Sequence, residues 1–600
     1  MSIRASRSRR RARSGAALLL AASLLAAGCG GSKSDDESNS TDPTAQGNGD
    51  DGLNVEAGES GLEEAGEPQR GGKLVYGIEG ESSAGWCLSE AQLAISGMMV
   101  ARAFYDTLTV PNANGEYVPY LAQDVTPNDD YTQWTITLRE GIKFHDGTDL
   151  TAEVVKNNLD AYRGAYEGRA STLFLFVLQD IDSTEVTAPD TVQVNMKRPW
   201  VSFPAFLFSS SRMGMMAQAQ LDADPAGCSE HPIGTGPFEF VSWTQNQQMT
   251  GKAFADYWQI APDGEPFPYV DEIEFRPIPD GTVRKQAIQS GGINIMHTSD
   301  AEQIQNDFLK MRNDGDVNLL VSEAQAEVSF IQMNSTIPPF NDVRMRRALA
   351  MGSDREDVNQ QVNAGLPTVA TGPFAPGTPG FLEDAGFPEY DPETAKALVE
   401  EYLAENPDQP ASFTLLATTD PTVRKIAQLI QQRARDIGVT VEIQSVEQAT
   451  LIDSAIAKNY QAMVFRNYPG GDPDQNYVWW YGNANPVNFG GWDDPELNAL
   501  LDEGRETADP DEREKIYQDV NRIMAEKVYG MWSWYTPWAI VLDDTVHNVF
   551  GPPLPGDDPS QPGDATTDDD ARRPTRGLAV GHPLIGLWIV VQTLRSGIEH

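Results

Sequence analysis

"VRKIAQLIQQRARDIGVTVEIQSV", residues 423–446, reads as a helix that passes straight into a strand. Val423, Ile426, Ile430 and Ile437 fall near one stripe at helical spacing. Gly438 can take the left-handed conformation that ends the helix, and Val439, Val441 and Ile443 then alternate at the period of a half-buried strand. The same switch of period recurs along the chain. "QWTITLR" (133–139) aligns Trp134, Ile136 and Leu138, and "TVQVNMK" (191–197) aligns Val192, Val194 and Met196. "DPETAKALVEEYL" (391–403) begins with Asp391 as N-cap and Pro392 in the first turn, then gathers Ala395, Leu398, Val399 and Tyr402. "DEREKIYQDVNRIMAEKV" (511–528) does the same with Ile516, Val520, Ile523 and Met524. Strands and helices mixed throughout, without an internal repeat, predict an α/β fold and not a bundle or a sandwich.

The amino end sets the compartment. Arg4, Arg7, Arg9, Arg10, Arg11 and Arg13 precede an apolar run over residues 15–27, the pattern of an export signal. Its end, "LLAAGCGGS" (24–32), resembles a bacterial lipobox, so residues 1–29 read as a lipoprotein signal peptide with Cys29 the lipidated residue. Ala26 stands where the strongest lipoboxes carry Leu, and an ordinary cleaved signal with an incidental cysteine is the alternative. Ser8-Arg9-Arg10 hints at twin-arginine export but lacks the apolar residues that usually follow. Residues 30–70 are rich in Gly, Ser, Asp and Glu and read as a disordered acidic tether, giving a protein anchored to the outer face of the cell membrane rather than spanning it.

Composition excludes several classes. A formal net charge of −44 offers no basic footprint for nucleic acid and suits a soluble surface. No apolar run in the mature part reaches the ~20 residues of a membrane span. Besides Cys29 there are Cys87 and Cys228, an even pair that in an exported protein reads as a disulfide rather than a reactive site. The six histidines have no metal-ligand spacing, and no Gly-x-Ser-x-Gly elbow is present. "GTG" at Gly234 lacks the Lys-Ser/Thr of a phosphate loop. His145-Asp146-Gly147 reads as a turn. Residues 552–576 form a Pro-, Gly- and Asp-rich linker, and "GLAVGHPLIGLWIVVQTL" (577–594) is expected to dock back as a strand or to remain a loose apolar terminus.

Several segments, in order, resemble the family-5 (peptide/nickel-type) extracellular solute-binding proteins of ABC importers. They are "RGGKLVYGIEG" (70–80), "ARAFYDTLTV" (101–110), "PYLAQDVTPNDDYTQWTITLREGIKFHDGTDLTAEVVKNNL" (119–159), "PIGTGPFEFVSW" (232–243), "DYWQIAPDGEPFPYVDEIEFRPIPD" (256–280), "FIQMNSTIPPFNDVRMRRALAMGSDREDV" (330–358) and "FRNYPGGDPDQNYVWWYGN" (465–483). The resemblance implies a two-lobed periplasmic-binding-protein-like fold of type II, in the large three-subdomain variant with a central ligand cleft. Lobe I would occupy 71–310 with an inserted subdomain at about 106–229, lobe II 311–535, and residues 536–600 would return to lobe I before the linker and tail. It implies a monomeric receptor that hands a peptide or other small solute to ABC permease subunits, with no cofactor, metal or catalytic residue.

Candidate ligand contacts are Trp86 in the loop after the first strand, Asn334 where the second lobe opens, and Asn467, Tyr468, Asp472, Asp474 and Trp480 in the aromatic stretch. Asp472, Asp474 and Asn476 fit the first alternate positions of an EF-hand loop, but Tyr477 replaces its glycine and Asn483 its closing glutamate. Peptide receptors of the family hold the ligand amine with an aspartate just before Gly-Asp-Pro-Asp, and here Pro469 occupies that position. That weighs against a dipeptide held by its charged amine and leaves larger peptides, oligosaccharides and natural products open. Arg344, Arg346 and Arg347 match a helix whose family role is largely structural. An anchored hydrolase and a ligand-sensing receptor for a signalling partner are the rival functions.

Overall fold

The computed structural model describes residue 60 and residues 68–554, apart from 82–84, 113–114, 323–326, 468–469, 548 and 550–553. The signal peptide, Cys29, most of the tether, the second linker apart from Leu554, the apolar tail and Tyr468 lie outside the described residues. Ser60, within the expected tether, is held against the body, its backbone N–H donating to Leu319 O at 2.7 Å and its hydroxyl accepting from Leu319 N at 2.9 Å.

The chain builds three main sheets. A seven-stranded sheet runs, edge to edge, through Val317–Ser322, Trp538–Asp543, Ile295–Thr298, Lys73–Ile78, Glu272–Pro277, Gln248–Ala253 and Phe238–Thr244. A five-stranded sheet runs through Thr440–Val446, Ser412–Thr418, Ala462–Asn467, Val328–Met333 and Gly530–Tyr535. A four-stranded antiparallel sheet, Ala122–Pro127, Gln133–Leu138, Thr191–Met196 and Ile181–Ala188, forms a subdomain between strands of the first sheet. Val317–Ser322 is thus an edge strand of the first sheet, which extends beyond the 310 boundary expected from sequence.

Local chemistry explains these elements. Helix Pro421–Asp436 is capped by Asp420, which accepts from Val423 N at 2.9 Å, and it buries Ile426, Ala427, Ile430 and Ala434. Gly438, at φ +87°, turns the chain into Thr440–Val446, parallel to Ser412–Thr418. Asp391 and Asp509 likewise cap Pro392–Glu405 and Pro510–Lys527. In the alternating strand Gln133–Leu138, Trp134, Ile136 and Leu138 are the buried positions.

The chain crosses between the two larger sheets twice, from Ser322 to Val328 and from Tyr535 to Trp538. Thr536 N donates to Glu327 O at 2.9 Å, tying the crossings together. The Glu327 carboxyl is fully buried and accepts from Trp538 Nε1. Two adjacent crossings with few residues each are the arrangement a hinge needs.

Candidate functional site

In the seven-stranded sheet Lys73–Ile78, Glu272–Pro277 and Ile295–Thr298 are parallel, and in the five-stranded sheet Ser412–Thr418, Thr440–Val446 and Ala462–Asn467 are parallel. A cavity of about 580 Å³ opens where the carboxyl ends of both sets converge. Glu79, Pro279 and Ser299 reach it from the first set, and Thr419, Glu447 and Asn467 from the second. Strand carboxyl ends are where α/β sheets place ligands, because the loops there can be shaped without disturbing the core.

The floor carries a charged network between the sheets. Arg466 donates to Glu79 at 2.8 Å and to Ser299 Oγ, and its Nε lies 3.6 Å from Glu327. Arg284 meets Glu79 at 3.3 Å, and His297 Nδ1 lies 3.7 Å from the same carboxylate. Burial alone would raise the Glu79 pKa, but Arg466, His297 and Arg284 outweigh it and hold the group well below the usual carboxylate range. His297 is pushed the other way: burial lowers it to about 4 against the pull of Glu79, so the ring is neutral near pH 7. Its two nitrogens have no hydrogen-bond partner among the described residues, and the ring packs on Trp538 at 4.1 Å. Asp300 and Asp420 also face the cavity; burial raises both, and each caps a helix.

The predicted contacts separate into three groups. Asn467 lines the cavity. Trp480 is buried and packs edge-on against Phe374 at 5.5 Å; it walls a small apolar recess with Phe330 and Trp492, next to the cavity rather than in it. Its neighbour Trp479 is the one that reaches the main cavity.

The other described candidates are structural. Trp86 is fully buried and stacks edge-on against Trp243 at 5.9 Å; Cys87 bonds Cys228 and holds the loop inward, so the ring cannot face the cleft. Asn334 is consumed by the backbone, donating to Lys458 O at 3.2 Å and Tyr460 O at 3.0 Å and accepting from Thr336 N. Asp472 caps a short helix and accepts from Arg513 at 2.6 and 2.9 Å. Asp474 accepts from Arg505, from Trp200 Nε1 at 3.1 Å and from Ser202 Oγ. Sequence reading missed Glu79, Arg466 and Arg212. The first two sit at strand ends, a signal that could have found them; Arg212 lies in a loop with no pattern to mark it.

Among the described residues no cluster could hold a metal ion, and no helix is long and apolar enough to cross a membrane. Two α/β lobes joined by paired crossings, with one large cavity at the facing strand ends, define a solute-binding protein of the type II periplasmic kind. Residues 116–489 match the pattern of the bacterial extracellular solute-binding proteins, family 5, and the chain belongs to that family, the substrate-binding components of ABC importers. It is 28% identical over 438 residues to the glutathione-binding protein GsiB of Salmonella typhimurium, covering 71% of this chain and 82% of that protein. The Escherichia coli O157:H7 counterpart is 27% identical over 470 residues, covering 76% and 86%. Among solved structures, the agropinic-acid complex of AgaA from A. tumefaciens R10 superposes with a TM-score of 0.72 at 26% identity, covering 80% of this chain and 95% of that one. The Bacillus subtilis oligopeptide-binding protein AppA, in complex with a nonapeptide, gives 0.71 at 22% identity, covering 86% and 100%, and shares the fold.

Proposed function

We propose that this chain is a lipid-anchored extracytoplasmic receptor that closes its two lobes around a small organic solute and delivers it unaltered to an ABC permease. The observation that carries the reading is the cavity at the strand carboxyl ends, walled from both large sheets and bridged by the Arg466–Glu79 pair. Its volume falls in the range of sites for small ligands, roughly 300–1,000 Å³. Solute contacts made to both lobes favour the closed state over the open one, and no covalent step is needed. Asn467 and Trp479 are the contacts assigned to the second lobe, with Tyr468 beside them in sequence.

Relatives bind glutathione, agropinic acid and a nonapeptide, which supports a small organic acid or short peptide as the solute class. The anchor is assigned to Cys29, with the acidic tether carrying the lobes away from the membrane.

A thermal-shift screen with glutathione, agropinic acid and short peptides, followed by mass analysis of the released solute, tests the reading. A binder raises Tm and is recovered intact. No shift across the panel, or recovery of cleaved products, contradicts it. Mass spectrometry of the mature amino-terminal peptide tests the anchor: a diacylglyceryl adduct on Cys29 supports it, and a free or absent Cys29 removes it.

A further inference from the structure

We propose that Arg212, with the open N-terminus of helix Ile95–Phe104, forms the seat for a carboxylate of the transported solute, so that the solute is an organic acid. The inference rests on the reading of the cavity as the solute site and specifies the chemistry of one end of it.

Arg212 lines the cavity from the four-stranded-sheet subdomain. The other arginines of the cavity wall have carboxylate partners: Arg466 has Glu79 and Glu327, and Arg284 has Glu79. Arg212 makes no ion pair with any described residue. Its Nε donates to the Leu93 carbonyl at 3.0 Å, its guanidinium lies 6.0 Å from the Trp479 ring centroid, and neither Nη nitrogen has a protein acceptor among the described residues. Burial lowers its pKa to about 10, with no neighbouring charge opposing the change, so it is a cation at neutral pH that the protein desolvates without compensating. An unpaired guanidinium facing a cavity is complete only when a ligand brings the counter-charge, and a carboxylate matches its fork of donors.

The backbone beside it has the same sign. Leu93, Ala94, Ile95 and Ser96 line the cavity, and helix Ile95–Phe104 starts at Ala94 with no side chain capping its first N–H groups. Those groups and the helix dipole present partial positive charge to whatever occupies the space. Of the other helices that begin at the cavity, three are capped by Asp280, Asp300 and Asp420, while Gln448–Ile456 follows Glu447 and likewise lacks a side-chain cap. The cavity therefore has an anion-accepting end at Arg212, while the aspartate-capped helix ends suit hydrogen-bond donors.

The test exposes the full mature protein and its Arg212→Gln and Arg212→Lys variants to a bacterial metabolite extract. Solutes that survive gel filtration are identified by mass, and the retained acid is then titrated beside its carboxamide. The proposal predicts that the wild type retains a carboxylic acid, and that its carboxamide binds about 10- to 100-fold more weakly. Arg212→Gln should lose the same factor on the acid alone, and Arg212→Lys less. A wild type that retains a neutral or purely cationic solute overturns the seat and leaves the receptor standing. So does an Arg212→Lys or Arg212→Gln variant, folded by circular dichroism, that binds the acid as the wild type does when the carboxamide also binds equally. A wild type that retains nothing overturns the receptor reading and the seat with it.

Discussion

Asp474 and Arg505 are both fully buried and meet at 3.1 Å, and the same guanidinium reaches Asp180 at 2.9 Å across the boundary with the four-stranded-sheet subdomain. Trp200 stacks 4.3 Å from that guanidinium and donates its Nε1–H to Asp474. The Gly-Asp-Pro-Asp segment is therefore a joint between the second lobe and the inserted subdomain. Arg505→Met leaves the wholly buried Asp474 without its cation, while Asp180 keeps Arg198 at 2.7 Å, and should lower stability by about 3–5 kcal/mol, read as a shift in the denaturation midpoint. Adding Asp474→Asn to that variant should cost less than the two single changes summed. An unchanged midpoint in Arg505→Met would remove the joint.

Arg466 works between the lobes rather than within one. Its partners Glu79 and Ser299 belong to the first lobe, while its strand belongs to the second. Arg466→Gln should weaken solute retention by about tenfold or more through loss of a charge-assisted contact that forms on closure. Titration of the retained solute checks this, and wild-type affinity in the variant would show that the pair does not contribute to closure.

The Cys87–Cys228 bridge closes a loop of 141 residues in sequence, and both residues are fully buried. Replacing both by Ala should cost about 2–5 kcal/mol. Exported protein, denatured without reductant, should not react with a thiol reagent at either position; labelling of both would contradict the bridge.

Acid should destabilise the protein through His297. The folded ring has its pKa lowered from 6.5 to about 4, so the unfolded chain binds the extra proton first. This contribution is whole above pH 6.5 and is lost as pH falls toward 4, up to about 3 kcal/mol. His145, half-buried and edge-on to Phe254, is also lowered to about 4 and acts in the same direction. Glu79, held low by its cations, adds its own loss only below the ordinary carboxylate range, near 4.5. Denaturation midpoints between pH 7 and 4 should fall less steeply in His297→Leu; an identical slope would contradict the assignment.

Periodicity made helix Pro421–Asp436 and the strand after it readable, because the burial that shapes them repeats along one short stretch. The alternating strands of the inserted subdomain were readable for the same reason. Contacts between distant segments were not. A side chain on Gly234 would put Cβ 2.0 Å from the Phe104 carbonyl, so the Gly-Thr-Gly turn lets its backbone approach the end of helix Ile95–Phe104, which only the folded structure reveals. Asp472 and Asp474 look like ligand groups until Arg513 and Arg505 are brought beside them. Trp86 looks exposed in a loop until the disulfide is seen to draw that loop inward. In the aromatic stretch, residue type alone does not say which of two adjacent tryptophans faces a cavity, and the short helix Tyr477–Trp480 turns Trp479 toward it.

Closure on the solute is the central claim, and a distance across the cleft tests it. Val241, on an edge strand of the seven-stranded sheet, is 54% exposed, and Tyr390, beside the second lobe's helix Pro392–Glu405, is 51% exposed. Spin labels on cysteines at these two positions, measured by pulsed electron resonance with and without a saturating solute, report the separation of the lobes. The account predicts a solute-dependent shift to one narrower, shorter distribution; the same distribution with and without a solute shown to bind would contradict it.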